Sequence, residues 1–243
     1  MPIHKNYFTG EFVKKIVLLI ILLCFRFLLI ADSSGIEEQN YRLSISGYDS
    51  EIGNSLSLSG SARFPVADYT GISLNAGLAE FNGKNSYVDS SGQAIGMDIF
   101  FRKYDLGIIQ AGYNYGKSQS DIGSSTFRND SQTYSLNATY YIENFDILLA
   151  RSKSDFEIGE SSNTSTMGIS YYINDIFRAG VSAGGMDTQD SYSLGATYQP
   201  EIFNNDIGIS AGYGFGKGDA SYTISLSYYF GTRVSLLDRI RKY

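Results

Sequence analysis

From Tyr41 to Phe230, apolar and polar side chains alternate with a period of two so regularly that nearly the whole segment divides into strands. Residues 55–64 show the pattern at its clearest: Leu56, Leu58, Ala62 and Phe64 fall on one face, and Ser55, Ser57, Ser59, Ser61 and Arg63 on the other. The same rhythm sets Ile95, Met97, Ile99 and Phe101 against Gly96, Asp98 and Arg102, while Tyr222, Ile224, Leu226, Tyr228 and Phe230 close the series. Twelve such segments can be read from the alternation. No stretch after residue 41 stays apolar for the roughly 20 residues that a membrane-spanning helix needs.

The links between segments alternate too. Those after the second, fourth, sixth and eighth strands are short, at 67–69, 103–105, 143–144 and 174–175. Those after the third, fifth and seventh, at 82–93, 118–131 and 154–163, are rich in Ser, Asn, Gly and Asp and read as long loops. Short turns at one end and long loops at the other is the asymmetry of an outer-membrane barrel, and an even strand number returns both chain ends to the short-turn side.

The polar face of these strands is nearly uncharged, being Ser, Thr, Gly and Asn in one segment after another. A soluble sandwich would show water a charged face and pack bulky branched residues inward. A small, uncharged face suits the lining of a narrow lumen instead. The aromatics of the apolar face gather near strand ends, at Tyr41, Phe64, Phe101, Tyr140, Phe145, Phe177, Tyr198, Phe215 and Phe230, where interfacial girdles lie. Closure also satisfies every backbone donor and acceptor inside hydrocarbon. The expected fold is therefore all-β, a transmembrane antiparallel up-and-down β-barrel of about 12 strands over residues 40–230; a secreted soluble β-protein is the competing reading.

Residues 1–31 read as a secretory signal peptide: Lys14 and Lys15 precede an apolar run at 16–25, and Ala31, Ser33, Ser34 and Gly35 offer small residues for cleavage within 31–35. An uncleaved anchor competes with this, with Arg26 interrupting the run, and lipid attachment at Cys24 would want a small residue where Leu23 stands. Cys24 and His4 are the chain's one cysteine and one histidine. Cleavage would leave neither, which removes disulfides, thiolate nucleophiles, histidine metal sites and histidine general bases together. The formal charge is -6, and without residues 1–31 it becomes -9, which argues against nucleic-acid binding. With 43% hydrophobic residues the chain is no disordered polymer, and its 26 Gly, 20 Tyr and 15 Phe beside only 3 Pro favour strands.

In these respects the chain resembles the outer-membrane β-barrel proteins of Gram-negative bacteria, small porins among them. Residues 222–230 are similar to that family's C-terminal assembly signal, in which apolar residues alternate up to a terminal aromatic, here with Tyr228 and Phe230. The resemblance implies an outer-membrane location with periplasmic termini. It also implies lipid and lipopolysaccharide around the wall, and the barrel-assembly machinery as a partner. The family's last residue is usually that aromatic, whereas here residues 231–243 follow as a basic periplasmic tail with Arg233, Arg239, Arg241 and Lys242 around Leu236, Leu237 and Ile240. The tail reads equally as a disordered segment or as a short amphipathic helix, lying on the membrane or folded into the barrel mouth.

Twelve strands about 4.8 Å apart and tilted by about 40° give a backbone diameter of about 24 Å and, with small lining residues, a bore of about 10 Å. Such a barrel would pass small hydrophilic solutes by diffusion; the alternative is a closed barrel that binds partners through its loops. Arg42, Arg63, Arg102 and Arg178 share the inner parity and fall at the short-turn ends of their strands, with Asp146 at their level and Asp98 deeper. They are the candidate lumen-mouth charges, either an electropositive constriction favouring anions or rim residues paired with acids of the turns. Tyr48, Tyr141, Tyr172 and Tyr229, also inward, could line a solute path or serve as packing. No catalytic residue, metal ligand or cofactor site is expected. The pair Asp187 and Asp190 reads as solvated loop acids, and the glycines of 214–218 belong to a turn with no helix behind it.

Overall fold

The computed structural model describes residues 40–84, 88–122, 125–186, 189–216 and 220–242. The expected signal segment with its cleavage site, His4 and Cys24, and Asp187 in the acid pair, lie outside the described residues. Twelve strands run through them: β1 (Asn40–Ser50), β2 (Gly53–Ala67), β3 (Thr70–Gly83), β4 (Asp89–Lys103), β5 (Gly107–Ile122), β6 (Ser125–Ile142), β7 (Phe145–Phe156), β8 (Ser162–Asn174), β9 (Phe177–Met186), β10 (Gln189–Tyr198), β11 (Ile207–Gly216) and β12 (Ala220–Phe230). A helix, α1 (Leu236–Lys242), follows them.

Each strand pairs with its neighbours in sequence, and β1 pairs with β12 to close the ring. All pairings are antiparallel, and in the closing pair Tyr41 faces Phe230 and Ile45 faces Leu226. Closure leaves no free edge, so the backbone is satisfied without water. Both ends of the barrel segment therefore meet at one rim, called here the terminal end; the opposite rim is the hairpin end.

The alternation puts the apolar positions on the outer wall. Leu43, Leu58, Ile99, Leu136, Leu149, Met167, Leu194 and Ile224 are all exposed there, with Leu136 at 58% and Ile224 at 67%. Such a wall is stable in hydrocarbon and not in water. Aromatic rings cap it toward both rims. At the terminal end Phe145 packs on Tyr171 and Tyr228 on Phe230, and toward the hairpin end Tyr113 packs on Tyr134 and Tyr192 on Phe215. Inside, hydroxyls pair across strands: Ser44 with Ser227 at 2.8 Å, Ser182 with Ser193 at 2.6 Å and Thr133 with Ser154 at 2.8 Å.

Loop length does not separate the two ends as the sequence suggested. Residues 118–122 and 125–131 continue β5 and β6 as a ribbon, pairing Ser118 with Asn129 and Ser120 with Phe127, so the expected long loop is mostly strand. The segment 82–93 is likewise strand up to Gly83 and again from Asp89. A hairpin that clears the apolar belt has water on both faces, so it loses its apolar alternation while keeping its hydrogen-bond ladder. In sequence it then looks like a loop. The longest connection at the terminal end is 199–206, with a 3-10 turn at Glu201–Phe203 and left-handed Asn204 and Asn205.

Candidate functional site

The two halves of the lumen differ in bulk. Toward the hairpin end it is lined mainly by Ser, Thr and Gly, whereas the terminal end gathers most of the buried bulky side chains: Phe100, Arg102, Tyr141, Tyr172, Gln199 and, from α1, Leu236 and Arg239. Among them lies a cavity of about 460 Å³, lined from this set by Arg102, Tyr141 and Arg239. Arg42 from β1, Arg63 from β2, Arg102 from β4 and Arg178 from β9 all line it, joined by Arg239 of α1, against a single lining carboxylate, Asp146 of β7. Strands on opposite sides of the ring thus deliver their arginines to one space, because the barrel is narrow and α1 fills part of the mouth.

On one side of the cavity the arginines face an aromatic ring. The guanidinium of Arg102 lies 5.4 Å from the centre of the Phe100 ring and that of Arg63 5.9 Å from it. Arg102 is 1% exposed, and its Nε and Nη1 have no hydrogen-bond partner. Among the described residues no carboxylate comes within ion-pairing distance of Arg42 or Arg102. On the other side Asp146, 4% exposed, holds several groups at once. Tyr172 Oη donates to Asp146 Oδ2 at 2.7 Å, Arg241 Nη2 donates to Oδ1 at 3.0 Å, and Arg178 Nη1 stands 3.8 Å from Oδ2. Arg178 is thus paired with an acid of β7 rather than of a turn.

Asp98 lies further along β4 toward the hairpin end and accepts from Asn75 Nδ2 at 2.6 Å. Gly112 opposite makes room for it, since a Cβ there would come within 2.0 Å of Asp98 Oδ1. Of the inward tyrosines, Tyr141 and Tyr229 line the cavity and Tyr172 packs against its Arg178: Arg241 lies 4.9 Å from the Tyr141 ring and Arg239 4.1 Å from that of Tyr229. Each meets a guanidinium in a cation–π contact, and Tyr172 also donates to Asp146. Tyr228 and Phe230 sit on β12 with rings 4.6 Å apart, on the outer wall beside the closing seam.

Neither a family model nor a curated protein sequence matches the chain. Solved structures do. The KdgM porin in complex with disordered oligogalacturonate is similar at a TM-score of 0.63 and 14% identity, covering 78% of this chain and 99% of the porin. An outer-membrane channel from Pseudomonas putida F1 follows at 0.53 and 10%, with 83% and 100% covered. The translocator domain of the autotransporter NalP from Neisseria meningitidis reaches 0.51 at 11%, with 88% and 97% covered. The fold is that of an outer-membrane β-barrel.

Within that fold the cavity is lined by five arginines and one carboxylate. The Nε and Nη1 donors of Arg102 beside the Phe100 ring are of the kind that take a carboxylate or phosphate, and low-dielectric walls strengthen the field of a guanidinium. Sequence reading missed Phe100, which shares the inner parity of Asp98 and Arg102, and it left the seat of α1 open. Arg239 and Arg241 could have been placed by a helix-start signal, Ser235 followed three residues later by Asp238, whose backbone N–H donates to Ser235 Oγ at 3.2 Å. Gln199 carried no such signal; its Nε2 donates to the carbonyls of Asn205 and Val234 and ties the connection 199–206 to the tail. Among the described residues no group of three or more Cys, Asp or Glu is arranged to hold a metal ion.

Proposed function

We propose that this protein is an outer-membrane channel for the passive diffusion of small hydrophilic solutes, with a preference for anions set at the terminal mouth. In this reading the terminal end faces the periplasm, lipid and lipopolysaccharide surround the wall, the barrel-assembly machinery inserts the chain through the signal around Tyr228 and Phe230, and no enzymatic chemistry takes place. The single observation that carries the anion preference is the cavity itself: five arginines and one aspartate line it, and Arg102 is buried with two donors unpartnered. A buried cation without a counter-ion is costly, and a passing anion relieves that cost transiently.

The test is solute flux into proteoliposomes holding the purified protein. Galacturonate, the repeating unit of the ligand named for the KdgM porin complex, should enter faster than galactose, and Arg63→Ala or Arg102→Ala should narrow the difference. Equal entry of both sugars, unaffected by either substitution, would refute the anion preference. The mouth filled by α1 and the ribbon projecting from β5 and β6 favour a second reading, a closed barrel that binds partners at the hairpin end. That barrel would admit neither sugar.

A further inference from the structure

Residues 231–242 do more than narrow the mouth. Gly231 has a φ of 110°, in the left-handed region, and turns the chain away from β12 immediately after Phe230. From there the tail returns across the rim. Leu237 N–H donates to the carbonyl of Asp175 at 3.0 Å, Arg239 Nη2 donates to the carbonyls of Asn205 and Thr232, and Arg241 Nη2 donates to Phe145 O as well as to Asp146. The helix thus bridges β7, the turn before β9, and the connection before β11. Leu236 alone among its apolar residues is fully buried, so the seat is made mainly of hydrogen bonds, ion pairs and cation–π contacts.

Such a seat is held mainly by polar contacts, which water can replace. A helix of seven residues is unstable in isolation, so α1 is helical only while seated, and its release exchanges hydrogen bonds, a buried ion pair and cation–π contacts for contacts with water. Two arginines of the helix that lie against the barrel wall, Arg239 and Arg241, are drawn from the same chemistry as the cavity they close. We infer that the C-terminal segment is a reversible plug of the terminal mouth, latched by Arg241 on Asp146 and by Arg239 over Tyr229, and that its release opens the lumen. This rests on the channel reading and adds to it a closed state built from the chain's own end.

The experiment is single-channel recording in planar bilayers on the full mature chain, on a chain ending at Gly231, and on the full chain carrying Arg239→Gln with Arg241→Gln. Heat-dependent gel mobility establishes that each is folded. The full chain should be mostly closed. Both variants should raise the open probability at least tenfold, and a synthetic peptide of residues 232–243 should close the shortened channel from the terminal side only. The double substitution keeps the test intact if the shortened chain does not assemble. Open probabilities that match across all folded forms, or block by the peptide from either side alike, would overturn the plug while leaving a working channel. Silence in every folded form would overturn the channel reading, and the plug with it.

Discussion

The two ends of this barrel are built from one wall and two different interiors. At the hairpin end the inner face is mainly hydroxyl and glycine, some of its hydroxyls pair with one another across strands, and β5 and β6 run on as a ribbon beyond the apolar belt. At the terminal end the same inner parity carries Phe100, Arg102, Tyr141, Asp146 and Tyr172, and α1 packs among them. Around the apolar belt the outer wall serves both halves alike, because lipid asks the same of both, and charged residues such as Glu80, Arg151 and Lys153 replace its apolar ones only toward the hairpin rim. The difference shows that β alternation fixes which way a residue points, while the identity of each inward residue sets whether the lumen is bore or barrier.

Perturbing the terminal end should cost the most. Asp146→Ala leaves Arg178, Arg241 and Tyr172 without their shared acceptor and should lower stability by about 3–5 kcal/mol, read as a drop in the urea midpoint of the folded gel band. An arginine on the outer wall comes next: Ile224→Arg should lose about 2–4 kcal/mol in the same assay, since it places a charge against hydrocarbon. Ser182→Arg, its inward counterpart in the hairpin half, should lose under about 1 kcal/mol yet reduce conductance. Tyr229→Leu removes the face that Arg239 covers and should cost about 1 kcal/mol. Replacing 118–131 with a two-residue turn should leave conductance as it was, with stability changed by less than about 1 kcal/mol. If that trimming silenced the channel while Asp146→Ala did not affect stability, the contrast between the ends would be inverted.

Much of the architecture was legible because period-two alternation is a direct imprint of a wall with lipid on one side and a lumen on the other. The turns after β6 and β8 could be read, the second to within one residue, since the Glu, Asn and Asp of 143–144 and 174–175 punctuate an otherwise apolar rhythm. The ribbon of β5 and β6 could not, because its strands carry no apolar signal where water bathes both faces. The arginines were legible by parity, but their meeting in one cavity was not, since adjacency across a ring depends on bore and on what fills it. The seat of α1 was hidden for a related reason: Arg239 and Arg241 sit more than sixty residues from Tyr172 and more than ninety from Asp146, and only closure brings them together.

The central claim is that the arginine-lined terminal mouth sets what passes. Its most direct test is the reversal potential of the channel under a potassium chloride gradient, for the mature chain and for the combined Arg42→Ala, Arg63→Ala and Arg102→Ala variant, both confirmed as folded. Chloride should be favoured over potassium in the first, and the preference should fall toward unity in the second. A channel that favours potassium, or a chloride preference unmoved by loss of the three arginines, would contradict it.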